Sequence, residues 1–304
     1  MWHTPYDDPA HLGSLPDMLI GVAGALPDRP ADISPADVRR LAELGLQGTN
    51  VKLGGPGEAS DAELRHARRV IADAGLVIAQ SNGAYGSLVG HSDADRRLGI
   101  DGLIAHMHAT TVLGARTCYV RPGGLNPNGP WFGHPDHHLD ATFDRALDSL
   151  RRTTRAAEDL GVVLAFEGHV LSTIDRPERV AAILDAIDSP ALTFNLDPVN
   201  FIGSIWDAWR PNAVYDRLLD SARGRIVTAH WKDFIVQEEL VLHVDEVVPG
   251  RGVVDHARWL QRLNAAEPHA WVLLEHLTLE QLAPAKQAVD AAMSRASLSW
   301  DPAP

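Results

Sequence analysis

Cysteine is nearly absent from this chain: Cys118 is the only one in 304 residues, so no intrachain disulfide can form. It falls in the apolar run ARTCYVRP, where a buried, inert thiol is the expectation rather than a nucleophile. Basic residues are in deficit, 27 against 40 acidic, for a formal charge of −13. Nucleic-acid binders usually carry a basic face, so no nucleic-acid partner is expected. No apolar run approaches the ~20 residues that span a bilayer, which excludes a helical membrane anchor. The N-terminal MWHTPYDDPAHLG also lacks the basic-then-apolar order of a secretory signal, and a reducing, cytoplasmic setting is expected. Internal repeats, low-complexity tracts and convincing domain linkers are missing too.

What is present is 45% hydrophobic residues, enough for a large core, arranged as alternating strand-like and helix-like segments. The strand candidates are 18–24, 46–53, 76–83, 117–123, 162–168, 192–197, 226–233 and 271–277. Each is short, apolar and bounded by turn-forming residues, as buried parallel strands are. Eight such runs close a barrel. Between them lie helix starts such as Ser34-Pro35 and the capping box Ser60-Asp61-Ala62-Glu63. Residues 138–160 read as a long amphipathic helix, and 278–295 as the final one. The fold class is therefore α/β: a single (β/α)8 TIM barrel forming one domain over 1–304, with its core at about 17–295 and loose ends at 1–16 and 296–304. Two connections exceed what a barrel needs, 123–138 after the fourth strand and 233–256 after the seventh, the latter expected to hold a small hairpin. Both belong on the strand C-terminal side, where barrel active sites lie.

Four consecutive strands end in metal-ligand residue types: VVLAFEGH in Glu167, LTFNLDP in Asp197, IVTAHWKD in His230 and WVLLEHL in Glu275. Any one such residue is often only a helix cap or a solvated charge. Four in succession, converging on one rim, make a hard, oxygen-rich set suited to a divalent cation. Side-chain alternation supports the first three. Val163, Ala165 and Glu167 share a face, as do Thr193, Asn195 and Asp197, and Thr228, His230 and Lys232. The eighth strand fits less cleanly, because bulky Trp271 and Leu273 share the face of Glu275.

This order of ligands resembles that of the sugar isomerase/epimerase superfamily with the xylose-isomerase-like barrel, which includes ketose 3-epimerases, inosose isomerases and dehydratases. His230-Trp231-Lys232-Asp233 resembles the family's His-x-Lys-Asp run, and VVPGRGVVD (247–255) its Pro-x-Gly-x-Gly segment. The resemblance implies one divalent ion held by Glu167, Asp197, His230 and Glu275, Mn²⁺ first, with Mg²⁺, Co²⁺ or Zn²⁺ as substitutes. It implies an isomerase or epimerase of a small carbohydrate or cyclitol, in which the ion polarises a carbonyl and the adjacent carbon loses a proton to give an enediolate. Glu167 and Glu275 would be the catalytic proton acceptor and donor. Elimination from the same intermediate would instead give a lyase or dehydratase acting on a keto-sugar or 3-keto-glycoside. A homo-oligomer is also expected from the resemblance.

Five nearby residues are candidates for substrate binding. Arg121 could hold a substrate oxygen or carboxylate or form a salt bridge, and His169 could orient Glu167 or serve as an acid. Lys232 could donate to a hydroxyl or pair with Asp233, and Trp131 could cap a sugar ring. Asn200 stands where the epimerases often place a histidine, and it hydrogen-bonds without titrating near neutrality. Phe132, Trp206 and Trp209 could also cap the sugar, or simply pack between loops or subunits. The abasic-DNA endonucleases are similar in fold but use three zinc ions and more histidine ligands; Asn200 and the acidic charge argue against that reading. A barrel serving only as a binding scaffold would have no need to gather buried carboxylates.

Overall fold

The computed structural model describes residues 18–302. All eight apolar runs form strands: β1 (Leu19–Val22), β2 (Gly48–Lys52), β3 (Val77–Asn82), β4 (Thr117–Val120), β5 (Leu164–Phe166), β6 (Leu192–Leu196) and β7 (Ile226–Trp231), closed by β10 (Trp271–Leu274). They are parallel and form a closed barrel in the order β1-β10-β7-β6-β5-β4-β3-β2. The expected hairpin in the seventh connection is β8 (Asp233–Val236) paired antiparallel with β9 (Val244–Val247).

Helices α1 (Pro35–Glu43), α2 (Asp61–Asp73), α3 (Asp93–Leu113), α4 (Asp140–Leu160), α5 (Pro177–Ile187), the short α6 (Ile205–Trp209), α7 (Pro211–Ser221), α8 (His256–Ala266) and α9 (Leu279–Arg295) follow the strands. Their starts obey local chemistry. Ser34 and Ser60 accept the backbone N–H of Asp37 and Glu63, whose carboxylates bond back to the cap, as expected. The same device at Ser92 and Asp95 opens α3.

The core has two layers. Leu164, Phe166, Phe194 and Leu196 point outward into the large cluster under the helices, as strand alternation requires. Inside the barrel, Leu19, Ala23, Ala79, Trp271 and Leu273 form a separate apolar floor. The awkward Trp271 fits because Gly48 faces it from β2. A Cβ at residue 48 would stand 2.4 Å from the Trp271 ring, so only glycine leaves room. Glu275 therefore keeps the inward direction of its strand.

The core also reaches past the expected limit at 295. Leu298 and Trp300 pack against it, Trp300 Nε1 donates to Asp290 Oδ1 (2.8 Å), and Asp301 N donates to Met18 O (3.1 Å). A tryptophan that partly buries its ring and satisfies its N–H holds this segment down. The N-terminal segment 1–16, expected to be loose, lies outside the described residues.

Candidate active site

Above the apolar floor lies a buried polar layer. Gln80 Nε2 donates to Asn195 Oδ1 (3.2 Å), and Thr228 Oγ1 donates to the same oxygen (2.5 Å). Register shifts in β3 and β7 help present these residues inward. On this layer rest the strand-end residues. One ligand atom each from Glu167, Asp197 and His230 lies within 4.8 Å of the others, all three residues being buried. Glu275 joins them, its Oε1 3.0 Å from His230 Nδ1 and its Oε2 3.1 Å from Lys232 Nζ.

Each ligand candidate is aimed by its neighbours. Glu167 Oε1 accepts from Asn195 Nδ2 (3.1 Å) and lies 3.1 Å from His230 Nδ1, while the Tyr119 hydroxyl donates to Oε2. The Tyr119 ring stacks on His230, with centroids 5.6 Å apart. His230 Nε2 is 3.2 Å from Gln80 Oε1. Asp197 Oδ2 has Lys232 Nζ at 2.9 Å but accepts no hydrogen bond of acceptable geometry.

The electrostatics call for positive charge. Burial pushes the Asp197 carboxyl up to about 7, against the pull of Lys232. Burial opposes charge on His230, yet the Glu275 and Glu167 carboxylates outweigh it and lift the imidazole to about 10. Glu275 goes the other way: His230 and Lys232 overcome its burial and hold it well below the ordinary carboxylate range. Asp197, Glu275 and Glu246 share the Lys232 ammonium, and His230 lies between Glu167 and Glu275, so negative charge predominates here. A divalent cation would offset it. The hard donor set and the under-bonded Asp197 Oδ2 fit such an ion.

Asp233, last in His-Trp-Lys-Asp, has a structural task. Its Oδ2 accepts backbone N–H groups of Gly250 (3.0 Å) and Gly252 (2.9 Å), and its Oδ1 those of Phe234 (2.9 Å) and Val254 (3.1 Å). The Trp231 indole donates to His256 Nδ1 (3.0 Å), so His256 Nε2 carries the proton and gives it to Asp233 Oδ2 at 3.1 Å. A Cβ at Gly252 would stand 2.2 Å from Asp233 Oδ1, which is why a glycine sits there. The Pro-x-Gly-x-Gly segment is thus wrapped around one carboxylate next to the rim.

A cavity of about 240 Å³ opens over these groups, lined also by Arg121, Trp131, His169, Asn200 and Lys232, so all five expected substrate-side residues face it. Some of their partners differ from expectation. Lys232 pairs with Asp197, Glu275 and Glu246, not with Asp233, because Asp233 is committed to the loop. The His169 Nδ1 accepts from Leu171 N (3.0 Å), and its ring packs against Trp131. Arg121 makes no ion pair among the described residues; it lies 4.4 Å over the Tyr85 ring and donates to Tyr85 O (2.7 Å). Asn200 Oδ1 accepts from Lys232 at 3.3 Å. Trp206 and Trp209 stack edge to face on α6, largely exposed, and neither they nor Phe132 lines the cavity. Cys118 is buried, and burial pushes its thiol up to about 11, as an inert thiol requires.

Sequence reasoning missed Tyr119 and Glu246. Glu246, on the hairpin, takes Lys232 at 3.2 Å and His276 Nδ1 at 2.7 Å. Tyr119 could have been found by alternation, two residues before Arg121 on the same strand face. Nothing local marks Glu246, because its hairpin folds back onto the rim through nonlocal contacts.

Fold and site together define a parallel (β/α)8 barrel with a buried Glu-Asp-His cluster at its C-terminal rim that could hold a metal ion. The chain belongs to the xylose isomerase-like TIM barrel family, which it matches over residues 38–296. Among solved structures it is similar to a xylose isomerase-like TIM barrel protein from Mycobacterium smegmatis in complex with magnesium, at 17% identity and TM-score 0.69, covering 92% of this chain and 97% of that one. It is also similar to a D-psicose 3-epimerase determined in the presence of D-fructose, at 15% identity and TM-score 0.70, covering 92% and 99%. A third is the 3-keto-D-glucoside 4-epimerase from E. coli, at 17% identity and TM-score 0.64, again covering 92% and 99%.

Proposed function

We propose that this protein is a divalent-metal-dependent isomerase or epimerase of a small carbohydrate or cyclitol, acting by proton transfer at the carbon beside a carbonyl. The observation that carries the proposal is the convergence of Glu167, Asp197 and His230 within 4.8 Å, with Glu275 against His230, where Glu167 and Glu275 line a cavity of about 240 Å³. Membership of the family and the fold shared with sugar epimerases support the same reading.

Glu167, Asp197, His230 and Glu275 would hold the ion, Mn²⁺ being the first choice. When bound, it would polarise the substrate carbonyl and stabilise the charge that develops on its oxygen. Glu167, fixed by Tyr119 and Asn195, takes the proton from carbon, and Glu275, on a different strand, returns one. Return to the opposite face of the same carbon inverts it; return to the neighbouring carbon isomerises the sugar. Lys232 and Asn200 hold substrate hydroxyls, Arg121 and His169 border the cavity mouth, and Trp131 covers the ring.

The test is deuterium incorporation from D₂O, followed by NMR, across ketoses, inososes and 3-keto-glycosides with the Mn²⁺-loaded protein. Exchange at the carbon beside the carbonyl, lost in Glu167→Gln and Glu275→Gln, is expected. A product of equal mass identifies the isomerase, whereas an enone absorbing in the ultraviolet identifies the lyase. Absence of exchange with every member of the panel contradicts the proposal.

A further inference from the structure

One side of the cavity is held by a histidine that does not face it. His137 lies in a short 3₁₀ turn, Pro135–His138, at the end of the long connection after β4, and it is fully buried. Its Nε2 accepts the backbone N–H of Leu125 (2.7 Å), which closes that connection on itself. Nε2 therefore carries no hydrogen, and the ring proton is on Nδ1. Nδ1 donates it to Leu171 O (2.7 Å) in the loop after β5.

Trp131, which lines the cavity, belongs to the segment that these two bonds hold. Its ring packs on His169, whose Nδ1 accepts from Leu171 N, and a Cβ at Gly133 would stand 3.5 Å from Leu171 Cδ2. Asn126 Nδ2 donates to Gly133 O (2.8 Å) within the same segment. We infer that His137 is a proton-sensitive clasp: a second proton on its ring frees the segment 125–137 and opens the Trp131 side of the cavity. This regulation goes beyond the reaction assigned above and does not depend on it.

A second proton can add only at Nε2, where it would face the Leu125 N–H. Two donors then oppose each other, their bond is lost, and a cation is left buried. The surroundings do little to shelter that charge. Both ring nitrogens meet backbone groups, and among the described residues no carboxylate pairs with the ring. His134 lies 5.6 Å away between centroids and His138 is adjacent, so either one, when charged, repels the proton, while Asp136 attracts it. His91 bonds Leu125 O (2.9 Å) and packs on His134. Arg179 on α5 donates to His137 O (3.2 Å), its charge offset by Asp175 and Asp140, and Asp175 also takes His138. Burial outweighs the Leu171 carbonyl and holds the His137 imidazole below its ordinary value. A histidine that binds its proton less tightly when clasped contributes closure that is complete above about pH 6.5 and is lost as pH falls below it.

The experiment is amide hydrogen exchange of the full chain at pH 7.5 and 5.5, read by mass spectrometry. Each rate is divided by that of the same peptide unfolded, which removes the pH dependence of the exchange chemistry. In wild type the open fraction of 123–139 and 168–176 should rise about tenfold at the lower pH, while helix α9 stays protected. In His137→Gln, whose side chain accepts and donates without titrating, the open fraction should be the same at both pH values. An open fraction unchanged in wild type, or a rise as large in the variant, overturns the inference. Nitrogen-15 NMR of the wild-type His137 ring needs no variant. It should show a neutral ring protonated on Nδ1 at pH 7.5, and a second proton gained together with the loss of protection at Leu125. A ring that gains its second proton while Leu125 stays protected also overturns the inference.

Discussion

Lys232 Nζ lies 2.9 Å from Asp197 Oδ2, the one buried carboxylate oxygen at this site that accepts no well-formed hydrogen bond. The pair is almost fully removed from solvent, with side-chain exposures of 4% and 0%. Removing one partner of a buried ion pair costs more than the pair contributes, because the other charge is left uncompensated.

Lys232→Met is therefore expected to destabilise the metal-free protein by about 3–5 kcal/mol at alkaline pH. The loss depends on pH in a definite sense. Asp197, pushed up to about 7 by burial, is a carboxyl that binds its proton more tightly when folded, so its ionised form weakens the fold as pH rises. Loss of Lys232 raises it further. Thermal melts in chelator should show a larger gap between wild type and variant at pH 8 than at pH 5, and Mn²⁺ should close much of it.

Tyr119 donates its hydroxyl to Glu167 and stacks on His230, so it positions two ligand candidates at once. Tyr119→Phe keeps the stack and loses only the donor. The expected result is a fall in kcat of about 10- to 100-fold and a weaker metal affinity of similar size, as for other groups that orient ligands. Steady-state kinetics and metal titration measure the two separately. An unchanged metal affinity would show that the hydroxyl does not orient Glu167.

Asp233 gathers four backbone N–H groups and His256. Burial pushes its carboxyl up, but His256 and the backbone N–H groups of Val254 and Gly252 outweigh it and hold the carboxyl below its ordinary value. A depressed carboxyl contributes stability that is complete above its unfolded value of about 3.9 and is lost as pH falls through the folded value. Asp233→Asn should lower stability at pH 7 by about 2–3 kcal/mol and expose 248–255 to proteolysis. The gap in melting temperature should narrow below pH ~4.

Gly48→Ala places a methyl 2.4 Å from the Trp271 ring inside the barrel. Overpacking of this kind costs about 1–3 kcal/mol. Denaturant unfolding should show that loss, and Trp271→Leu in the same chain should recover part of it by making room.

The barrel was legible because its strands are short apolar runs buried on both faces, a pattern that survives without knowledge of the partner strand. Glu167, Asp197 and His230 were legible for a related reason: alternation with period two fixes which side chains look inward, and each sits at its strand's end. Glu275 was harder to read, because Trp271 beneath it becomes acceptable only once Gly48 is known to face it across the barrel. Lys232's true partners were hidden for the same reason: Asp233, its neighbour in sequence, points to the loop, while Asp197 lies on the adjacent strand. Trp300 was read as part of a loose end because its hydrogen bond depends on helix α9, and that of the next residue, Asp301, on Met18 just before β1, which no local pattern reveals.

The most direct test of the account is to strip the protein with chelator, return Mn²⁺ stepwise, and follow carbon–deuterium exchange on a substrate against bound metal. The account predicts no exchange in the stripped protein, a linear rise ending at about one ion per chain, and neither binding nor exchange in Asp197→Asn. Exchange that persists in chelator, or that survives Asp197→Asn, would contradict it.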